Sequence, residues 1–99
     1  MNRQPTHPGA ILREDVIPAL KDRGVNVTQF TRALRISRSL LYGILDERKP
    51  VTPNIAVRLG RVLGNGPVIW LNIQRAYDLW EVEAMLANEL NEMPIYKVA

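Results

Sequence analysis

The sequence predicts an all-α chain of five helices, the last of them long. Three observations carry that expectation. No run alternates apolar and polar residues as a half-buried strand would. Capping residues and first-turn prolines recur along the chain, at Asn26, Ser37, Thr52, Pro53 and Pro67. Between them, apolar residues return every three or four positions. With 99 residues, 46% of them apolar, the chain can bury one modest core and is expected to form one domain over residues 1–99.

The first helix is expected from about Pro8 to Leu20, with Ile11, Leu12, Val16, Ala19 and Leu20 facing the core. Pro18 conflicts with an unbroken helix, so a bend or an end is expected there, and Gly24 closes the segment. Asn26 caps the second helix, Val27 to Leu34, which buries Phe30 and Leu34. Ser37 caps the third, Arg38 to Leu45, with Leu41, Ile44 and Leu45 inward. Thr52 caps the fourth, and Pro53 takes its first position, where a missing donor costs nothing. That helix runs through Ile55, Ala56, Leu59, Val62 and Leu63 to Gly64.

The fifth helix starts at Pro67 and is expected to reach about Leu90, roughly 36 Å at 1.5 Å per residue. Two apolar stripes run along it. One holds Trp70, Ile73, Tyr77 and Trp80, the other Leu79, Val82, Leu86 and Leu90. One stripe closes the core; the second needs a partner, and dimerisation through Trp80, Leu79, Val82 or Leu86 follows as an expectation. Pro94 to Ala99 read as a tail.

Several classes are excluded or disfavoured. Without cysteine there are no disulfides and no thiolate zinc sites, in keeping with a reducing cytoplasm. The stretch Met1-Asn2-Arg3-Gln4-Pro5-Thr6-His7-Pro8 has no apolar run, so no signal peptide is expected. No segment approaches the roughly 20 apolar residues of a membrane span. No nucleophile motif, phosphate loop or histidine pair points to an enzyme, a metal or a cofactor. The single histidine, His7, sits between Thr6 and Pro8 and reads as a cap or surface residue.

Charge is divided unevenly. The net +3 combines +7 over residues 1–75 (12 Lys/Arg, 5 Asp/Glu) with −4 over residues 76–99 (1 Lys/Arg, 5 Asp/Glu). A basic body suits an anionic partner, and the acidic end (Asp78, Glu81, Glu83, Glu89, Glu92) suits a basic one.

The second and third helices are joined by only Arg35-Ile36-Ser37, the arrangement of a helix-turn-helix. Phe30, Leu34, Ile36, Leu41 and Ile44 fix the angle between them, which leaves Ser37, Arg38, Ser39, Tyr42 and Gly43 outward. Arg38 can donate two hydrogen bonds to a guanine edge, the hydroxyls can reach bases or phosphates, and Gly43 allows close approach. Seven Lys/Arg against two Asp/Glu lie between Thr28 and Arg61: Arg32, Arg35, Arg38, Arg48, Lys49, Arg58 and Arg61 could rim one face. Arg48-Lys49 follows the third helix where a phosphate grip is useful, and the start of the fourth helix at Thr52 can bind phosphate too.

The segment Thr28-Gln29-Phe30-Thr31-Arg32-Ala33-Leu34-Arg35-Ile36-Ser37-Arg38-Ser39 resembles the helix-turn-helix of the XRE/Cro repressors. His7-Pro8-Gly9-Ala10-Ile11-Leu12-Arg13-Glu14, Thr52 to Leu59 and Trp70-Leu71-Asn72-Ile73-Gln74-Arg75-Ala76-Tyr77-Asp78-Leu79-Trp80-Glu81 are similar to HigA-type antitoxins, over about residues 7–83. The resemblance implies a lambda-repressor-like DNA-binding fold and a homodimer on a palindromic double-stranded operator ahead of its own operon. It also implies a partner toxin of the HigB type, a messenger-RNA nuclease. Ser37, Arg38, Ser39 and Tyr42 match the groove-facing positions, and Thr28 and Gln29 join the DNA-binding set. The chain departs from the family pattern at Val27 (usually glutamine), Thr31 (usually alanine) and Arg35 (usually glycine). Two rival readings stand beside the DNA-binding antitoxin: a protein-binding antitoxin with weak or no DNA binding, and a stand-alone XRE-type repressor without a toxin.

Overall fold

The computed structural model describes residues 3–98, so Ala99 of the expected tail lies outside the described residues. The described chain is helical and contains no strand. His7 caps the first helix and Pro8 opens it. Helix α1 (Pro8–Ile11) passes into a π-helical turn (Leu12–Val16) and then into α2 (Ile17–Asp22). The expected bend or end at Pro18 is replaced by this turn. There the Ile17 N–H reaches back five residues to the Leu12 carbonyl. The wider turn absorbs the proline, whose ring conflicts with a carbonyl four residues back and which has no N–H of its own. It also advances the inward register by about one residue. Ile17 is therefore buried, and Ala19, expected inward, is exposed.

Helices α3 (Val27–Leu34) and α4 (Arg38–Leu45) have the expected bounds. Asn26 and Gln29 form a reciprocal capping box, each side chain accepting the other's backbone N–H at 2.8 Å. Arg35 stands where the family pattern has glycine and adopts the left-handed backbone itself, at φ 56° and ψ 42°. Thr31 is buried, and its hydroxyl donates to the Val27 carbonyl at 2.7 Å.

Helix α5 (Pro53–Leu63) begins with the Thr52 cap and ends in left-handed Gly64. Val62, expected inward, is 37% exposed. Helix α6 (Pro67–Met85) stops at Leu86 rather than Leu90, and a short α7 (Ala87–Glu92) follows. The Trp70 indole N–H donates to Asn65 Oδ1 at 3.1 Å and closes the α5–α6 turn.

The core lies where α1, α3, α4 and α5 converge, with Leu12, Phe30, Leu34, Leu41, Ile44 and Leu59 all at 1% exposure or less. Burying each such side chain contributes about 1.5–3 kcal/mol. Within α6 only Trp70 and Gln74 are buried. The molecule therefore measures 54 × 26 × 25 Å, because the second half of α6 projects as an arm.

Gln74 is the polar member of the interior. Its Oε1 accepts the Val51 N–H at 2.7 Å and its Nε2 donates to Asp78 at 2.8 Å. Gln74→Leu will orphan the buried Val51 N–H and lower stability by about 1–3 kcal/mol in urea unfolding. A change within about 0.5 kcal/mol would mean that the backbone amide finds another partner.

Candidate nucleic-acid interface

The surface built by α3 and α4 is set by local chemistry at both ends of α4. Ser37 is extended, and its hydroxyl accepts the Leu40 N–H at 3.0 Å. This starts the helix with Arg38 and Ser39 pointing into solvent. One turn later Tyr42 is 42% exposed. Leu41, Ile44 and Leu45 lie on the opposite side in the core. The two non-glycine residues with positive φ, among those described, bracket this helix: Arg35 before it and Glu47 (φ 62°) after it. Strained backbone of this kind persists where surrounding contacts hold it.

Those contacts are made by two arginines. Arg58 of α5 donates through one Nη1 to the carbonyls of Leu34 and Arg35, at 3.0 and 3.2 Å, while its Nε donates to Asn54 at 2.7 Å. It satisfies carbonyls that the end of α3 leaves without partners. Arg13 of the π turn donates to the Leu45 carbonyl at 2.6 Å and pairs with Glu47 at 3.2 Å. The sequence counted Arg58 among a basic rim and gave Arg13 no task. The left-handed turn at Arg35 was the signal available, since it leaves acceptors that a nearby guanidinium can take.

The outward residues fall into two groups. Arg38, Ser39, Tyr42 and Lys49 present side chains to solvent. Arg38 is braced, its Nη2 donating to the Thr28 hydroxyl at 2.7 Å. This joins two expected DNA-facing positions across the helix pair. Gln29, Ser37 and Thr52 are exposed but use side-chain oxygens to cap helices. Arg48 pairs with Asp46 at 3.3 Å, both well exposed, which leaves the guanidinium easily recruited elsewhere.

Gly43 departs from the expected outward set. It is buried under the aliphatic stem of Lys49, which lies 2.9 Å from where a Cβ would stand. Its carbonyl accepts the N–H groups of both Arg48 and Lys49, at 2.9 and 3.1 Å. Gly43 thus shapes the loop after α4.

On α6 the four expected contact residues also divide. Leu79 and Val82 are 53% and 44% exposed, whereas Trp80 and Leu86 are half-buried. Pro5, Ala76, Trp80 and Ala84 line a shallow groove on one side of Leu79. Val51, Pro53, Leu71 and Val82 line another on its other side. Leu79 therefore stands as a ridge between two depressions.

No family model matches the chain. It is 41% identical over 73 residues to Virulence-associated protein I of Dichelobacter nodosus, covering 74% of this chain and 65% of that one. It is 30% identical over 79 residues to antitoxin HigA-1 of Vibrio cholerae, covering 80% of this chain and 71% of that one. Among solved structures, antitoxin GraA in complex with its operator superposes with a TM-score of 0.83 at 34% identity, over 100% of this chain and 97% of that one. Pseudomonas aeruginosa antitoxin HigA with the higBA promoter superposes with a TM-score of 0.80 at 26% identity, over 95% and 99%.

Proposed function

We propose, since the chain belongs to the HigA-type family of helix-turn-helix antitoxins and transcriptional regulators, that it is a DNA-binding antitoxin repressor acting on the operator of its own operon. One observation carries this reading. The first turns of α4 present Arg38, Ser39 and Tyr42 to solvent on a helix braced at both ends, the arrangement a groove-reading helix needs. The similarity to antitoxins solved on operator DNA supports it.

The protein acts as a binding module, not an enzyme, and it works as a homodimer. The dimer is supported by the projecting arm of α6 with its exposed Leu79 and Val82. Two-fold symmetry would set two α4 helices against half-sites about one turn apart, roughly 34 Å, on a palindrome. Its second partner is a HigB-type toxin with a basic RNA-binding surface. The exposed carboxylates Glu81, Glu83, Glu89 and Glu92 suit such a partner. No helix among the described residues is long and apolar enough to cross a membrane, and the protein acts in the cytoplasm, where its operator is.

The test is fluorescence anisotropy on the DNA upstream of its own gene, against a scrambled duplex, at two salt concentrations. Tight binding to the upstream duplex alone, retained at the higher salt, supports sequence-specific repression. Equal, salt-sensitive binding to both would count against it. Arg38→Ala is expected to weaken the specific complex by about 1–3 kcal/mol and to relax preference at one base pair. Arg48→Ala and Lys49→Ala should weaken every sequence alike and lower the salt slope by about one each. If Arg38→Ala behaves as those two do, α4 grips the backbone and does not read bases.

A further inference from the structure

His7 ties the start of α1 to α6, and no step of the DNA-binding reading uses it. The residue is 4% exposed. Nδ1 accepts the Gly9 N–H at 2.9 Å, which closes the N-terminus of α1. The ring packs edge-on against Tyr77 of α6, with centroids 4.8 Å apart and planes at 81°. Two residues on, Gly9 rests directly on the Ile44 carbonyl of α4, so close that a Cβ there would collide with it. Thus one imidazole fastens the start of α1 to α6, and the same first turn, through Gly9, seats on the helix that carries Arg38.

The fastening requires the neutral ring. An Nδ1 that accepts a hydrogen bond leaves the proton of neutral imidazole on Nε2. A second proton can go only to Nδ1, where it would face the Gly9 N–H, donor against donor. It would also place a cation at the positive end of a helix. We propose that His7 is a proton-operated latch: taking up a proton frees the start of α1 from α6 and loosens α1 from α4, which weakens operator binding.

The surroundings set the balance. Burial favours the neutral ring most, and Arg13 acts in the same sense. Glu47 after α4 and Asp78 on α6 act against them. The net effect lowers the His7 pKa below its ordinary 6.5. Glu81 stands beside the Tyr77 hydroxyl and raises that phenol, so Tyr77 stays neutral throughout. A histidine pKa that is lower in the folded state than in the unfolded one contributes stability that is fully present above about 6.5. That contribution is lost as the pH falls from there through the folded value.

This inference rests on the operator-binding reading for its second half only, and the test separates the two. His7 is the chain's single histidine, so its ring resonances in an NMR titration of the DNA-free protein need no assignment by elimination. They should titrate below the 6.5 of a free imidazole, and the thermal midpoint should fall over the same range. Operator affinity should fall with them, by up to about tenfold per pH unit for each proton taken up. That loss has the opposite sign to general acidification, which adds positive charge and tightens DNA binding. His7→Asn keeps a capping oxygen without a titrating ring, and its affinity should not fall over this range. A ring that titrates at or above 6.5, or equal pH profiles for the two proteins, would overturn the latch. If neither protein binds the operator at neutral pH, the functional reading fails. The NMR titration and the melts then decide the latch alone, a pH-dependent midpoint in wild type but not in His7→Asn upholding it.

Discussion

Gly9→Ala is expected to lower stability by about 3 kcal/mol, the upper part of the range for overpacking a tight contact. The atom a new methyl group would meet is the Ile44 carbonyl oxygen, part of the α4 backbone, and it cannot rotate aside as a side chain would. Helices α1 and α4 must then part. Arg13 would be drawn from the Leu45 carbonyl and Glu47, and His7 from Tyr77. Urea unfolding should show a lower midpoint with an unchanged slope, since the surface exposed on unfolding is the same. A loss below about 1 kcal/mol would mean that the two helices slide at little cost, and the rigid seat for α4 would have to be given up.

Substituting both Leu79 and Val82 by glutamate should abolish the dimer and reduce operator affinity by about 100-fold or more. Neither residue is needed for the core, as both are about half exposed. The fold should therefore survive while the ridge becomes charged. Two half-site contacts gain their strength from being joined, and separate monomers lose that advantage without losing any contact of α4. Sedimentation should give a dimer for the wild type and a monomer for the double variant, with equal helix content. A double variant that still sediments as a dimer would place the interface elsewhere. A wild type that is monomeric at micromolar concentration would remove the model of paired recognition helices.

Much of the fold could be read from the residues. Helices α3, α4 and α5 begin at side-chain caps, and each cap was visible because Asn26, Ser37 and Thr52 precede an apolar run. Chemistry that acts over three residues is legible in a sequence. The register of α2 was not. Pro18 announced a conflict but not its resolution, and the π turn that resolves it carried Ile17 inward and Ala19 outward. The break at Leu86 was equally silent, because nothing at that position stops a helix by propensity.

The outward face of α4 was read correctly at Arg38, Ser39 and Tyr42, since periodicity alone places them opposite Leu41 and Ile44. Gly43 was misplaced because its small size suggested room for a ligand. In the fold the room is taken by Lys49, six residues ahead. Arg13 and Arg58 were missed for a related reason. Their acceptors are carbonyls 32 and 24 residues away along the chain, and no local pattern shows which carbonyls a helix end leaves open.

The arm formed by the second half of α6 has a consequence for how long the molecule lasts. Beyond Tyr77 every described residue is half-buried or exposed, so local opening there needs far less free energy than global unfolding. A separated protomer would offer that stretch of backbone to proteases while its core stays folded. If protomers pair through Leu79 and Val82, that pairing would close this route, and survival of the chain would depend on its own abundance: dilute protein would be removed faster than concentrated protein.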